Sequence, residues 1–464
     1  MSKADIVIIG AGLTGLTAAY YLKENGYKVI LIEKNSRTGG VIDTVKEDGF
    51  VIETGPNTGV LSHPEVAELF EDLSDKCTLE TANPESKRRL IWKSGNWHAL
   101  PDGLGKAIKT PLFSLGDKFR ILGEPFRRKG TNPFETLEEL VLRRMGRSYL
   151  DYAVDPFISG IYAGNPSYLV TRFALPKLYA LEQNYGSFIK GAIKKGFEPV
   201  EPRMKKATKE VFSAGNGLRS LVGALEAAIG KENILLSSKN TSVGLSGNRY
   251  IVSTTVGEKP AYFESEYVIT TVDAGALEPL LPFISPEELS AITSLEYAKV
   301  VQVVLAYKEW KGIELNAFGG LVPTRENRRI LGVLFTSSFF KNRAPEKGAL
   351  LSVFLGGTKR PGYVDLSDDE IKKIVFEEIS EMFKLSGPQP DIFRIFRYQR
   401  AIPQYGKTSE ERLNAITAIQ DKYPGLILAG GIRDGIGMAD RIKQARLVAS
   451  EISLRKSATE IGNY

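Results

Sequence analysis

Cysteine is almost missing from this 464-residue chain. Cys77 stands alone, which excludes an intrachain disulfide and any metal or iron–sulfur site built from several cysteines. Histidine is nearly as scarce: with only His63 and His98, no histidine dyad for proton transfer is expected. No run reaches the roughly 18 apolar residues that a membrane-spanning helix requires. A strand pattern begins within the first six residues, where a secretion signal would need a basic stretch, an apolar core and a cleavage site. The expected setting is reducing and cytoplasmic, with any membrane contact made on the inner surface of the cell membrane.

What is present is ordinary for a folded protein, with 42% hydrophobic and 25% charged residues. The length calls for two or three lobes sharing one site. The net charge of +6 is unevenly spread: Pro84 to Lys206 holds 22 Lys/Arg against 12 Asp/Glu, leaving −4 for the rest. Such a basic middle suits an anionic lipid surface, a nucleic acid or an acidic small molecule, or simply forms a solvated face. Aromatics are not interleaved with these cations in a nucleic-acid motif, so no nucleic-acid partner is expected.

Ile6 to Ile9 is a β-branched run, followed by Gly-Ala-Gly-Leu-Thr-Gly and a helical pattern ending at Asn25-Gly26. A second strand, Val29 to Ile32, closes on Glu33. The last 40 residues repeat the style, with a strand from Leu426, a turn at Gly430-Gly431 and a helix from about Gly437 to Leu454. The chain therefore leaves a nucleotide-binding lobe and returns to it. Pro101 to Gly196 reads as mostly helical. Strands at Val300 to Tyr307, Ile330 to Phe335 and Ala349 to Leu355 form a second, mixed-sheet lobe, and Lys195 to Lys209 reads as a mobile loop. The predicted fold class is α/β and α+β. The division is 1–83, 207–272 and 415–464 for the Rossmann-like lobe, 84–100 and 273–414 for the substrate lobe, and 101–206 for a helical, basic lobe.

Gly10, Gly12 and Gly15 stand where strand turns into helix, for a tight turn, close approach of a pyrophosphate and close helix–strand packing. Glu33 follows Gly10 by 23 residues, where a carboxylate can accept from ribose hydroxyls and would repel a 2′-phosphate. FAD or NAD remains. Arg37-Thr38-Gly39-Gly40 then favours FAD, because a Gly-Gly pair lets the chain turn beneath an extended dinucleotide. No second fingerprint for a nicotinamide donor follows a strand, and Ser220 occupies the third-glycine position after Gly215-Asn216-Gly217. An oxidase taking electrons from an organic substrate is expected.

At Glu33-x-x-x-Arg37-x-Gly39-Gly40 the chain resembles the amine oxidase superfamily of flavoproteins. Further runs resemble the protoporphyrinogen oxidase family over essentially the full length. These are Glu53-Thr54-Gly55-Pro56-Asn57, Lys87-Arg88-Arg89, Ser159-Gly160-Ile161-Tyr162-Ala163-Gly164-Asn165, Ile402-Pro403-Gln404-Tyr405 and Ala429-Gly430-Gly431 to Asp440. Val41 replaces the arginine usual in the superfamily, as porphyrinogen oxidases do.

The resemblance implies removal of hydride from a carbon bridging pyrroles to flavin N5, with oxygen as final acceptor; the cofactor does the hard step. It implies that Arg89 pairs with a substrate propionate, that Asn57 orients substrate beside the flavin, and that Gly160 lets backbone approach the reacting carbon. Leu321, Leu334 and Phe354 match positions that sandwich the macrocycle, although each also reads as a strand core residue. Cofactor contacts carry over to Gly10, Ala11, Gly12, Leu13, Thr14 and Gly15, then to Glu33, Lys34, Arg37, Gly39, Gly40 and Val41. They continue at Gly55, Pro56, Asn57, Thr58 and Ser242. Gly431, Ile436, Gly437 and Met438 would bring a helix N-terminus to the flavin's N1–C2=O edge. Arg433-Asp434 departs from the small and aromatic residues of relatives. No cysteine or histidine stands in these segments, so non-covalent FAD is expected.

The implied partners are a porphyrinogen, molecular oxygen, a membrane surface, a downstream chelatase and a second copy of the chain. Gly-Pro-Asn and Arg89 favour protoporphyrinogen IX. Coproporphyrinogen III is the sister substrate, a polyamine or amine the third, and a non-catalytic flavin-binding or haem-handling role the reading from another class.

Overall fold

A computed structural model describes residues 1–387 and 389–461. Its nucleotide lobe centres on a five-stranded sheet in the order Ile234–Leu235, Val29–Ile32, Ile6–Ile9, Tyr267–Thr270, Leu426–Leu428, with every pairing parallel. Ile6, Val7 and Ile8 have no exposed surface, because helices and a second sheet cover both faces of a parallel sheet. One face carries the helices Leu13–Glu24, Arg219–Ile229 and Met438–Ile461. The other carries the antiparallel strands Ser238–Ser246, Arg249–Val256 and Lys259–Ser265, with Leu289 and Ile292 of the helix Pro286–Thr293 and Ile416 and Ile419 of the helix Ser409–Lys422 in the same core. The last strand and helix do return to the first lobe, the helix running from Met438.

The second lobe is a seven-stranded mixed sheet. Its order is Ile392–Pro403, Tyr297–Tyr307, Ala349–Gly356, Gly332–Leu334, Gly319–Leu321, Arg89–Lys93, Asn96–Ala99, with Arg89–Lys93 and Gly319–Leu321 parallel and the other pairs antiparallel. One face buries Val301, Val303, Val333, Leu351 and Val353 against Ile371, Val375 and Ile379 of the helix Asp368–Met382. Both faces of Tyr297–Tyr307 are covered, which is why Val300 to Tyr307 is a continuous apolar run interrupted only by Gln302. The strand expected at Ile330 to Phe335 is limited to Gly332–Leu334.

Residues 101–206 are mostly helical, including Leu115–Leu122, Leu137–Arg144, Asp155–Ile161, Pro176–Tyr185 and Phe188–Gly196. They pack in two small apolar clusters, one around Phe113 and Tyr149 and one around Leu137 and Ile158, and are tied together by buried ion pairs. Arg144, with no exposed surface, pairs with Glu124 and with Glu182 at 2.7 Å, while Arg143 pairs with Glu135 at 2.7 Å and Glu182 at 2.9 Å. Breaking one buried partner leaves a stranded charge, which costs about 3–5 kcal/mol. The Lys195 to Lys209 segment is exposed except at Lys206 and Ala207 and reaches the first lobe through two of its cations. Glu65, Glu68 and Glu71 form one row on the helix Pro64–Asp72 and receive Arg203 and Lys206. Among the described residues no helix is long and apolar enough to cross a membrane.

Candidate active site

The first cradle is built where backbone segments crowd together. Gly10 has φ +104°, and Thr271 Oγ1 donates to its carbonyl at 2.9 Å. A Cβ on Gly15 would stand 1.9 Å from that carbonyl oxygen, so only glycine lets the helix pack this close. A Cβ on Gly12 would meet nothing within 4 Å. The open side at Gly12, facing the N-terminus of Leu13–Glu24, is where a pyrophosphate fits. Leu13 and Thr14 are buried in the first turn.

Glu33, 5% exposed, accepts from the Ala11 amide at 2.8 Å through Oε2 and from the Asn35 amide and side chain through Oε1. These bonds fix its carboxylate beside the glycine turn and leave an acceptor position for a ribose hydroxyl. Gly39 donates to the Ala11 carbonyl at 2.8 Å, and Gly40, at φ +60°, lies against Gly12. Arg37 binds the carbonyls of Thr38 and Ile42 and pairs with Asp43 at 3.4 Å, which folds the loop. Lys34 and Val41 are exposed. Ser237 and Ser238 touch this loop, donating to the Asn35 and Glu33 carbonyls, as Arg219 does to the Thr38 carbonyl. Ser242 stands four residues beyond Ser238, paired with Ser253.

Two further segments meet this cradle. A Cβ on Gly55 would fall 2.0 Å from the Val41 oxygen, and one on Gly59 would fall 2.9 Å from Met438 Cε. The loop with Pro56, Asn57 and Thr58 thus runs between the first turn and the C-terminal helix. At that helix, Gly437 donates to Asp440 Oδ2 at 3.0 Å and His63 Nε2 lies 3.2 Å from Oδ1. Burial pushes the Asp440 carboxyl upward, but the bonds from His63 and Gly437 outweigh it and hold it below its usual range. Gly430 packs on Thr271, a Cβ on Gly431 would meet nothing, and Tyr405 donates to the Gly435 carbonyl at 3.0 Å. Ile436 packs half-buried beside Tyr162 and Tyr405.

Strand register places the residues expected to meet substrate. Ile91, Leu321, Gly332, Phe354 and Gln302 align across the sheet, and Arg89, Gly319, Leu334, Ser352 and Val304 form the next row on the same face. Arg89, Leu321, Leu334 and Phe354 therefore share the face opposite the Val301 core, and that face is tied to the nucleotide lobe. Ser352 Oγ donates to Asn57 Oδ1 at 2.7 Å, and Gln302 Nε2 donates to the Glu53 carbonyl at 2.8 Å. Asn57 is 5% exposed and its Nδ2 donates to the Gly55 carbonyl at 3.1 Å. Gly160 sits over Leu321, where a Cβ would come within 2.4 Å of Leu321 Cδ2. Arg89 is exposed, lies 5.9 Å from the Phe318 ring, and has no carboxylate partner among the described residues.

Glu53, 6% exposed, accepts from the Leu218 amide at 2.9 Å and from Thr44 Oγ1 at 2.8 Å. Burial outweighs those bonds and pushes its carboxyl up to about 7. Thr271, Gln302, Ser352 and Gln444, whose Oε1 accepts from the Gly430 amide at 2.7 Å, were not singled out in the sequence. Their roles depend on which strands and turns come together, which single-residue patterns do not carry.

A Rossmann-type lobe with a glycine cradle and an anchored acid, facing a second mixed sheet, fits a flavin-dependent oxidoreductase. The profile of the flavin containing amine oxidoreductase family matches residues 13–453, and the chain belongs to that family. It is similar to protoporphyrinogen oxidase 2, chloroplastic/mitochondrial, of Arabidopsis thaliana, at 28% identity over 97% of this chain and 94% of the relative. It is also similar to coproporphyrinogen III oxidase of Bacillus subtilis, at 27% identity over 97% and 98%. In structure it is similar to a protein from Exiguobacterium sp. 255-15 that is provisionally assigned as a protoporphyrinogen oxidase. The TM-score is 0.81 at 25% identity, over 98% of this chain and 100% of that one. The cofactor is FAD, and the open positions at Gly12 and Gly431 leave room for it.

Proposed function

We propose that this enzyme oxidises protoporphyrinogen IX to protoporphyrin IX in haem biosynthesis, passing electrons to dioxygen with release of hydrogen peroxide. The observation that carries the reading is the shared sheet face, where apolar Leu321, Leu334 and Phe354 neighbour an unpaired Arg89 and face the Asn57 loop. A flat apolar macrocycle with acidic side chains matches that pairing of surface and cation. The FAD supplies the hydride acceptor. The protein's part is to hold the macrocycle against Leu321 and Phe354, bind a propionate at Arg89, and keep the loop at Asn57 in register.

Coproporphyrinogen III is the second reading, favoured by the Bacillus relative, which the chain matches almost end to end. The experiment mixes the FAD-loaded enzyme aerobically with each porphyrinogen and compares porphyrin fluorescence with autoxidation alone. Faster conversion of protoporphyrinogen is expected. A clear preference for coproporphyrinogen moves the enzyme to the sister reaction, and no enhancement of either sinks both readings.

The helical lobe is proposed to rest on an anionic membrane surface, placing the enzyme as a peripheral protein. Ile108, Leu115, Phe119, Phe126 and Phe197 are each at least 70% exposed, among Lys106, Lys109, Lys118 and Arg127, a mixture suited to an acyl–headgroup boundary. Flotation with anionic vesicles at low salt tests this, and a protein that stays with the soluble fraction refutes it.

A further inference from the structure

Arg412 is a buried cation with no carboxylate partner among the described residues. It is 2% exposed, and its Nε and Nη2 have no hydrogen-bond partner. Its neighbours are aromatic: the guanidinium carbon lies 5.4 Å from the centre of the Tyr405 ring, and the titratable groups near it are the phenols of Tyr405, Tyr297 and Tyr168, which burial keeps neutral. Arg441 on the other side of Tyr405 also has free N–H groups, but it donates to the carbonyls of Asp434 and Gly435 and has Asp434 and Asp440 close by. Arg412 has no such carboxylate.

The place where Arg412 sits is itself electropositive. It belongs to the first turn of the fourteen-residue helix Ser409–Lys422, which begins at Thr408 without a side-chain cap. The Ser409 amide donates to the Gly406 carbonyl and the Arg412 amide to the Thr408 carbonyl, which leaves the amides of Glu410 and Glu411 without intrahelical partners, and the helix dipole adds positive potential there. Ser409, three positions before Arg412 and so on the same face, is fully buried with its hydroxyl unpartnered. Helical side chains lean toward the N-terminus, which carries the guanidinium back over Ser409. Of the two acids on this turn, Glu410 is engaged by Arg172 at 2.8 Å and Glu411 is exposed.

We propose that the buried surroundings of Arg412, beside Tyr405, bind a small inorganic anion of the chloride type, held by the free N–H groups of Arg412, the Ser409 hydroxyl and the unpartnered amides of this helix's first turn. Water could take the hydrogen bonds but would leave the buried guanidinium, which stays protonated, without a counter-charge. The site adjoins the cofactor region through Tyr405, whose hydroxyl holds the Gly435 carbonyl just ahead of the helix Met438–Ile461. Filling it therefore braces that turn. The proposal is independent of which substrate the enzyme oxidises.

The test uses the FAD-loaded enzyme in sodium gluconate, with sodium chloride or sodium bromide exchanged in at constant ionic strength. The expected result is a saturable rise in the unfolding midpoint of roughly 2–4 °C, lost in Arg412→Met and weakened in Ser409→Ala. Because Arg412→Met could fail to fold, crystals of the unaltered enzyme grown in bromide supply a second readout. An anomalous peak within hydrogen-bonding distance of Arg412 Nε or Nη2 is expected. A midpoint indifferent to halide, a halide response that survives in Arg412→Met, or a bromide-free site occupied by water each overturns the proposal.

Discussion

The hydroxyl of Ser352 donates to Asn57 Oδ1 across 2.7 Å, joining a strand of the substrate sheet to the loop beside the glycine cradle. The same amide is fixed at its other end by the Gly55 carbonyl. Asn57 is thereby held as part of the wall between two lobes. Ser352→Ala frees one end, and a lost hydrogen bond of this kind is worth about 1 kcal/mol. The expected outcome is a fall of about fivefold in kcat at full FAD occupancy; unchanged kcat would remove Asn57 positioning from the account.

Gly12 and Gly15 separate cofactor binding from folding. Gly12→Ala adds a methyl into open space and is expected to leave the apoprotein's unfolding midpoint unchanged while weakening FAD binding by tenfold or more. Gly15→Ala meets the Gly10 carbonyl at 1.9 Å and is expected to destabilise the apoprotein itself, by about 1–3 kcal/mol as for overpacking elsewhere. FAD titration beside thermal unfolding of both apoproteins checks the contrast.

Much of this lobe was legible in the sequence, because the strand, glycine turn, helix and acid of residues 6–33 are consecutive and local rules determine them. The substrate face was not legible in the same way. Leu321, Leu334 and Phe354 looked like core residues of separate strands, and it is long-range register that aligns Leu321 with Gly332 and Phe354. Only resemblance brought them forward. The ion pairs of Arg203 were not legible because its partners, Glu65 and Glu68, lie far away in the chain.

Arg89 is expected to act in binding. Arg89→Ala should raise KM by about ten- to a hundredfold with little change in kcat, the pattern of an interaction made equally in ground and transition states. Arg89→Lys should recover part of the loss, since lysine keeps the charge without the planar fork. An effect confined to kcat would place Arg89 elsewhere in the mechanism.

Glu53 gives a pH signature. Its carboxyl is raised from 4.5 to about 7 by burial, so the fold prefers the neutral form. Stability from this group is full below about pH 4.5, declines as pH rises toward 7, and is constant above. Glu53→Gln keeps an acceptor for the Leu218 amide, and Thr44 can reverse its hydroxyl. The stability gap favouring Glu53→Gln should widen between pH 4.5 and 7 by an amount on the order of 1–3 kcal/mol. Denaturant unfolding across that range measures it, and a gap independent of pH would contradict it.

The most direct measurement is anaerobic: mix the FAD-loaded enzyme with protoporphyrinogen IX, coproporphyrinogen III or a polyamine, and follow the visible absorbance of the flavin. The account predicts rapid bleaching by a porphyrinogen, fastest with protoporphyrinogen IX, together with porphyrin formation, and none with the polyamine. Bleaching by the polyamine alone, or by none of the three, would contradict it.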